Sequence, residues 1–136
     1  MLELKRIDGM TIKKHFNWAV IGAGPAGIAT VGKLIDSGIK PFDIVWIDPE
    51  FNVGDIGQYW QNVPSNTRVE LFLKFFNACH SFEYAKFVNH FPIHQIPAEK
   101  TCLLSFIMAP LKQITQNLQK NVHCFYQQVK ALQSVT

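Results

Sequence analysis

The first strong pattern of the chain lies at residues 16–27, which read Phe16-Asn17-Trp18-Ala19-Val20-Ile21-Gly22-Ala23-Gly24-Pro25-Ala26-Gly27. Here an apolar run leads into a turn with three glycines, and a stretch compatible with a helix follows. A second apolar run then ends on a carboxylate, in Phe42-Asp43-Ile44-Val45-Trp46-Ile47-Asp48. This order of strand, glycine turn, helix, strand and acid predicts a βαβ unit.

The glycine turn predicts a site for the pyrophosphate of a dinucleotide. Gly22 would allow the tight turn, Gly24 would let the backbone approach the phosphates, and Gly27 would let the helix lie close to the sheet. The predicted helix runs over residues 25–37 and ends at a glycine. Its first turn would present N–H groups and a partial positive charge to the phosphates, and a proline at its first position removes an N–H that would have no acceptor there.

The acid that ends the second strand is the candidate ribose ligand. Asp48 follows Gly27 by 21 residues, close to the offset of about 20 that is typical of this acid. Its carboxylate could accept hydrogen bonds from both ribose hydroxyls, and it would repel the 2′-phosphate of NADP. Glu50 is the alternative acid, but Pro49 places it in the following loop.

Composition favours one globular domain. The chain has 136 residues, of which 48% are hydrophobic and 17% charged, and its net charge is +3. We expect a leader over residues 1–15 and a single domain over residues 16–136. The basic leader could contact a phosphate surface, or it could be a solvated terminus. Without a basic stripe or a long apolar segment, we expect neither nucleic acid nor a membrane as partner, and a cytoplasmic location.

The cysteines and histidines give no pattern of metal ligands. Cys79, Cys102 and Cys124 are widely spaced and odd in number, which favours reduced, mostly buried thiols. His90 and His94 are four residues apart, but Pro92 between them disrupts a helical metal-binding face.

The rest of the chain predicts one further crossover to a third strand. Residues 49–66 read as a long loop, in which Tyr59 and Trp60 could pack either on a cofactor or in the core. Asn66 or Thr67 could cap a helix that ends near Ala78. The remaining predictions are an irregular excursion over residues 82–97, a helix over residues 101–119 that Pro110 kinks or splits, and a strand over residues 122–132. Together these elements predict an α/β fold with three parallel strands in the order 3-2-1.

The pattern resembles the N-terminal, FAD-binding part of the two-domain flavoprotein oxidoreductases. This superfamily includes pyridine nucleotide-disulfide oxidoreductases and flavin-dependent monooxygenases. Three segments carry the resemblance: Gly22-Ala23-Gly24-Pro25-Ala26-Gly27, Ile47-Asp48-Pro49-Glu50, and Gly54-Asp55-Ile56-Gly57-Gln58-Tyr59-Trp60. In the last segment the paired glycines of the family are not adjacent.

The resemblance implies a Rossmann-like FAD/NAD(P)-binding domain and a set of cofactor contacts. They are Gly22, Ala23, Gly24, Pro25, Ala26, Gly27, Asp48, Pro49, Gln58, Trp60 and Val129, the last through its backbone to the adenine. More than 70 residues separate the second and third predicted strands, and the resemblance takes this as favouring FAD over NAD. No redox cysteine pair is present, so disulfide reduction is not expected of this chain.

These observations leave two functions open. The chain would be the FAD-binding segment of an NAD(P)H-dependent oxidoreductase, or a non-catalytic module that binds NAD or an adenine nucleotide. No residue stands out as an acid, base or nucleophile. A complete doubly wound domain has further strands on the other side of the first strand, and none is predicted here, so we expect an incomplete domain that forms a homo-oligomer or needs a partner chain. The alternative is that residues 80–97 cover the exposed strand edge.

Overall fold

The computed structural model describes residues 4–5, 11–12 and 15–127, and these form a mixed α/β structure. Near the N-terminus, the short strands β1 (Leu4–Lys5) and β2 (Thr11–Ile12) pair antiparallel. The central sheet has three parallel strands, β3 (Trp18–Ile21), β4 (Ile44–Ile47) and β7 (His123–Phe125). The mixed α/β class and the three-stranded parallel sheet are as predicted.

Burial differs sharply along the sheet because β4 lies in the middle. The sheet order is β3-β4-β7, so β4 has a hydrogen-bonded neighbour on each side. All four of its residues are buried, as is usual for a parallel strand covered on both faces. β3 pairs only with β4 among the described residues, and three of its four residues are exposed.

Helix α1 (Pro25–Asp36) follows β3 and packs on the sheet. Ile28 and Val31 are fully buried at helical spacing, because this face of the helix points into the core. The helix ends one residue before the predicted end. Ser37 is its C-cap, and Gly38 follows with a φ of +101°, the left-handed conformation that glycine adopts without strain.

The segment after β4 contains regular structure that the sequence pattern did not indicate. Residues 56–60 form a single π-helical turn, Ile56–Trp60, and strand β5 (Pro64–Arg68) follows it. The proposed capping residues Asn66 and Thr67 lie inside β5, so the predicted cap is wrong. Helix α2 (Val69–Phe76) begins directly after the strand.

Backbone carbonyls take the place of a side-chain cap on α2. The N–H of Val69 donates to the carbonyl of Lys100 at 2.8 Å, and the N–H of Glu70 donates to that of Ala98 at 3.0 Å. These two donors would otherwise lack a partner inside the helix. A tertiary contact therefore fixes the start of α2, and local sequence carries little trace of it.

The next helix was predicted to begin at residue 101 but begins four residues later, because a tertiary contact again decides where the helix starts. Residues 101–103 form strand β6 (Thr101–Leu103), which pairs antiparallel with β5. Helix α3 (Ser105–Gln119) follows and runs unbroken through Pro110, so the predicted split is wrong. Strand β7 ends at Phe125, and the part of the predicted strand beyond residue 127 lies outside the described residues.

Residues 80–97, called the excursion from here on, contain three short 3₁₀ segments, His80–Phe82, Tyr84–His90 and Pro92–Gln95. The carboxylate of Asp36, at the end of α1, accepts hydrogen bonds from the backbone N–H groups of His80 at 2.8 Å and Ser81 at 3.0 Å. Asn117 of α3 donates from its side chain to the carbonyl of Phe82 at 2.9 Å. The excursion thus packs on the helices, and within residues 15–127 it forms no strand beside β3.

Candidate functional site

The turn between β3 and α1 is built as the glycine pattern predicts. Gly22 has a φ of +103°, which a residue with a Cβ rarely adopts. Its N–H donates to the carbonyl of Ile47 at 2.7 Å, which ties the turn to the end of β4. A Cβ on Gly27 would overlap the carbonyl oxygen of Gly22. Glycine at position 27 is therefore required by the close contact of helix and turn.

Trp46 stabilises this turn, a role that the sequence pattern did not indicate. Its indole Nε1 donates to the carbonyl oxygen of Gly22 at 2.7 Å, and its side chain is fully buried. Its ring packs edge-on against Phe51 with centroids 5.1 Å apart. A tryptophan within an apolar strand predicts only a buried side chain, so the hydrogen bond to Gly22 could not be predicted from the sequence.

Gly24 faces protein backbone at this turn. A Cβ on Gly24 would lie 3.8 Å from the Cα of Gly54, and a Cβ on Gly54 would lie 3.0 Å from the Cα of Gly24. The two glycine-containing loops thus touch backbone to backbone. The protein itself therefore leaves room for a Cβ at Gly24, whereas a Cβ on Gly54 would force its neighbour to shift.

The loop after β4 contains strained backbone beside this contact. Phe51 and Val53 have φ values of +53° and +61°, and both side chains are buried. Positive φ is costly for a β-branched residue such as valine, about 1–3 kcal/mol. Such strain persists only where the surrounding structure enforces it, and here the loop is held against the glycine turn.

The N-terminus of α1 is open to an anion. Gly24 is its N-cap, no side chain caps it, and its first turn carries no acidic residue. Ala26, in that first turn, is exposed. Free N–H groups and the positive end of the helix dipole therefore face solvent at this point.

Asp48 bonds to the turn and to its own loop. One carboxylate oxygen, Oδ1, accepts a hydrogen bond from the N–H of Ala23 at 2.9 Å. The other, Oδ2, accepts from the N–H groups of Glu50 at 3.0 Å and Phe51 at 2.7 Å. The residue is only 9% exposed. Asp48 thus links the glycine turn to the loop that follows β4.

A polar cavity of about 240 Å³ lies beside this link. Its lining comprises Asp48, Pro49, Glu50, Asn52, Gly54, Asp55 and Gln58. The lining has three carboxylates and no basic side chain, so it suits hydroxyl donors and disfavours a phosphate. Three of the predicted contact residues, Asp48, Pro49 and Gln58, meet here.

The other predicted contacts have different positions. Trp60 and its neighbour Tyr59 are 52% and 66% exposed. The interpretation of these aromatic residues as core anchors is therefore wrong, and Trp60 does not line the cavity. Val129 lies outside the described residues.

The three cysteines lie among the described residues. Cys79, Cys102 and Cys124 are free, and each is buried or partly buried, as predicted. Burial raises the pKa of each thiol.

Within residues 15–127 no His, Cys, Asp or Glu cluster could hold a metal ion. No helix in the described part of the chain has the length and apolar character needed to cross a membrane.

Comparison with known proteins gives one informative similarity. The chain is 31% identical over 109 residues to Monooxygenase AgnR1 of Paecilomyces divaricatus. The matched region covers 75% of this chain but only 27% of the fungal protein. No protein-family model matches the chain, and neither does any solved structure.

Proposed function

We propose that this chain binds the ADP half of FAD, as the Rossmann-like segment of an NAD(P)H-dependent flavoprotein monooxygenase. The observation that carries the proposal is the β3–α1 turn. Its glycine geometry, its uncapped helix N-terminus and an acid at the end of the next strand are features that are typical of a dinucleotide site.

The charge distribution supports a division of the site into two parts. The pyrophosphate would bind at the N-terminus of α1, where no acid opposes it. The ribose would bind at the acidic cavity, whose lining includes carboxylates, which are acceptors that ribose hydroxyls can use. The same carboxylates would repel the additional phosphate of NADP.

The role of the chain under this proposal is binding and orientation. When bound, FAD would supply the redox chemistry, which moves a hydride from a nicotinamide to an acceptor. The similarity to a monooxygenase supports this class of reaction. Because the chain spans about a quarter of that relative, the groups that select the nicotinamide and the substrate are not assigned to it.

The direct test is calorimetric titration of the full 136-residue chain with FAD, NAD, NADP and ADP. We expect FAD and ADP to bind and NADP to bind least. Circular dichroism on the same sample shows whether the protein is folded. A folded chain that ignores both FAD and ADP would refute the proposal.

The same titration tests the alternative of a non-catalytic nucleotide module. A clear preference for NAD over FAD would favour this alternative.

A further inference from the structure

We propose that Trp46 is a positioning residue for the pyrophosphate of the nucleotide, because its indole N–H fixes the orientation of the peptide bond between Gly22 and Ala23. The inference rests on the proposed function, since it concerns the phosphate half of the same site. Trp46 does not line the acidic cavity. Any effect of this side chain on binding therefore has to pass through the glycine turn.

Three successive polar groups of the turn backbone are bonded to the end of β4. The N–H of Gly22 donates to the carbonyl of Ile47 at 2.7 Å. The carbonyl of Gly22 accepts from Nε1 of Trp46 at 2.7 Å, and the N–H of Ala23 donates to Oδ1 of Asp48 at 2.9 Å. This carbonyl and this N–H belong to one planar peptide unit. Two side chains from the end of β4 thus hold that peptide at both of its polar ends.

The residue at position 22 makes this double bonding consequential. Gly22 has a φ of +103°, and a glycine has more backbone freedom than any other residue, so its own covalent structure does not fix the plane of the peptide. Without the indole donor, the carbonyl of Gly22 would lose its partner next to the core, which costs free energy. We expect the turn to move in order to relieve that loss.

The carbonyl of Gly22 also sets the position of the first turn of α1. A Cβ on Gly27 would overlap this oxygen and would lie 3.6 Å from Nε1 of Trp46. The helix therefore packs directly on the bonded carbonyl and indole. The first N–H groups of α1 have no acceptor within the helix and no side-chain cap. These groups would bind the pyrophosphate, so their direction depends on where the carbonyl of Gly22 is held.

The indole is itself held in one orientation. Trp46 is fully buried, and its ring packs edge-on against Phe51 with centroids 5.1 Å apart. The N–H of Phe51 donates to Oδ2 of Asp48 at 2.7 Å, so the packing partner is fixed as well. Valine or isoleucine, the usual residues of a buried parallel strand, would fill space here without offering a donor. The N–H of Trp46 is therefore the property to test.

The experiment compares ADP with adenosine on the full-length wild type and on Trp46→Phe. Calorimetry gives the affinity for ADP, and displacement of ADP gives the affinity for adenosine. We expect the wild type to bind ADP about tenfold or more tightly than adenosine, the size of a hydrogen bond to a charged group. In folded Trp46→Phe this ratio should fall towards one, because the phosphate contacts are impaired and the adenosine contacts are not. A purely structural role would lower Tm and leave the ratio unchanged.

Two control variants separate stability from positioning. Ile93→Val deletes a methyl group from a fully buried side chain of the excursion, so it should lower Tm and keep the wild-type ratio. Trp18→Phe removes an indole that is 44% exposed, and it should change neither quantity. A fall of the ratio in Ile93→Val would show that lower stability alone explains the result for Trp46→Phe, and would overturn the proposal.

A second replacement at position 46 removes the donor with less disturbance of the packing. Benzothienylalanine has the ring system of tryptophan with sulfur in place of the N–H, and it can be incorporated at this position alone. This variant keeps the contact surface for Phe51 and should fold where Trp46→Phe does not. We expect the same fall in the ratio of the ADP and adenosine affinities. A wild-type ratio in the folded analogue would overturn the proposal.

Failure of the proposed function would look different. If the folded wild type bound neither FAD nor ADP, the function and the role of Trp46 would both be rejected. If it bound ADP and adenosine equally, the role of Trp46 would be rejected along with the phosphate site, and an adenosine site would remain. If it favoured ADP and the analogue did so equally, only the role of Trp46 would be rejected.

Discussion

Substitutions around the glycine turn can change nucleotide affinity, protein stability or both. Most of them, such as Gly24 and Asp48, contact both the space for a nucleotide and the protein itself. Ala26 differs, because it is exposed in the first turn of α1 and only its backbone carbonyl, which a substitution keeps, accepts a hydrogen bond, from the hydroxyl of Thr30. It therefore offers a test of phosphate binding that leaves the fold intact.

We predict that Ala26→Asp weakens FAD and ADP binding at least tenfold while leaving stability unchanged or slightly higher. A carboxylate in the first turn of a helix interacts favourably with the helix dipole, by about 0.3–1 kcal/mol. The same charge repels a diphosphate at that point. Calorimetry gives the affinity and urea unfolding the stability, with Ala26→Asn as the uncharged control. Unchanged affinity in Ala26→Asp would place the phosphates elsewhere.

Trp46 gives a second test at this scale. We predict that Trp46→Phe lowers the free energy of unfolding by about 1–3 kcal/mol, because the carbonyl of Gly22 loses its donor. Trp18→Phe removes an indole that is 44% exposed, and should change stability by no more than about 0.5 kcal/mol. Equal effects of the two substitutions in urea unfolding would show that the hydrogen bond contributes nothing.

Among the elements, the excursion contains a partly buried polar pair. The hydroxyl of Tyr84 and Nε2 of His94 are 2.6 Å apart, and Tyr84 packs on Phe76 and Phe91. Burial lowers the pKa of His94 from its ordinary value of 6.5 and raises the pKa of Tyr84 to about 12. The hydroxyl and Nε2 share one hydrogen bond, whose donor depends on the tautomer of His94, and burial favours the uncharged form of both groups.

This pair makes stability depend on pH in one direction. Because the pKa of His94 is lower in the folded state, unfolding takes up a proton. Its contribution is fully present above pH 6.5 and is lost as the pH falls through the lower pKa of the folded state. We predict that urea unfolding shows declining stability below that pH and that His94→Gln reduces the decline. The exposed His90→Gln is the control, and a decline that persists unchanged in His94→Gln would contradict the prediction.

At the scale of the whole molecule, the outer edge of β3 is the conspicuous feature. Trp18 and Ile21 are 44% and 54% exposed, and within residues 15–127 no strand pairs with that edge. The excursion, which could have covered it, packs on α1 and α3 instead. Unpaired edges with apolar side chains favour association with another chain.

We predict that the isolated chain self-associates, or requires a partner polypeptide, through this edge. Light scattering over a concentration series should show a mass that rises above 15.5 kDa. Trp18→Lys should reduce the association, since a charge on an edge strand opposes pairing. Leu71→Lys, at a position of similar exposure on α2, is the control. A 15.5 kDa monomer at high concentration would contradict the prediction.

The β3–α1–β4 unit follows from local rules that the sequence pattern carries. Local rules act there: Gly22 adopts a positive φ, Pro25 starts the helix, Gly38 follows its end, and the two apolar runs form the parallel strands β3 and β4. Each of these depends on the residue and its immediate neighbours, so a single sequence is enough to predict it.

The boundaries of β5 and α2, and the hydrogen bonds of Asp48 and Trp46, depend on contacts between residues that are distant in sequence. Asn66 and Thr67 lie in β5 because residues 101–103 pair with that strand, and distant carbonyls cap α2. Asp48 accepts a hydrogen bond from Ala23, 25 residues away, and Trp46 donates one to Gly22, 24 residues away. These bonds satisfy buried polar groups whose partners are chosen by how the chain folds back on itself. Sequence spacing could place the acid at the end of the strand, but the folded backbone decided how many of its acceptor positions remain free.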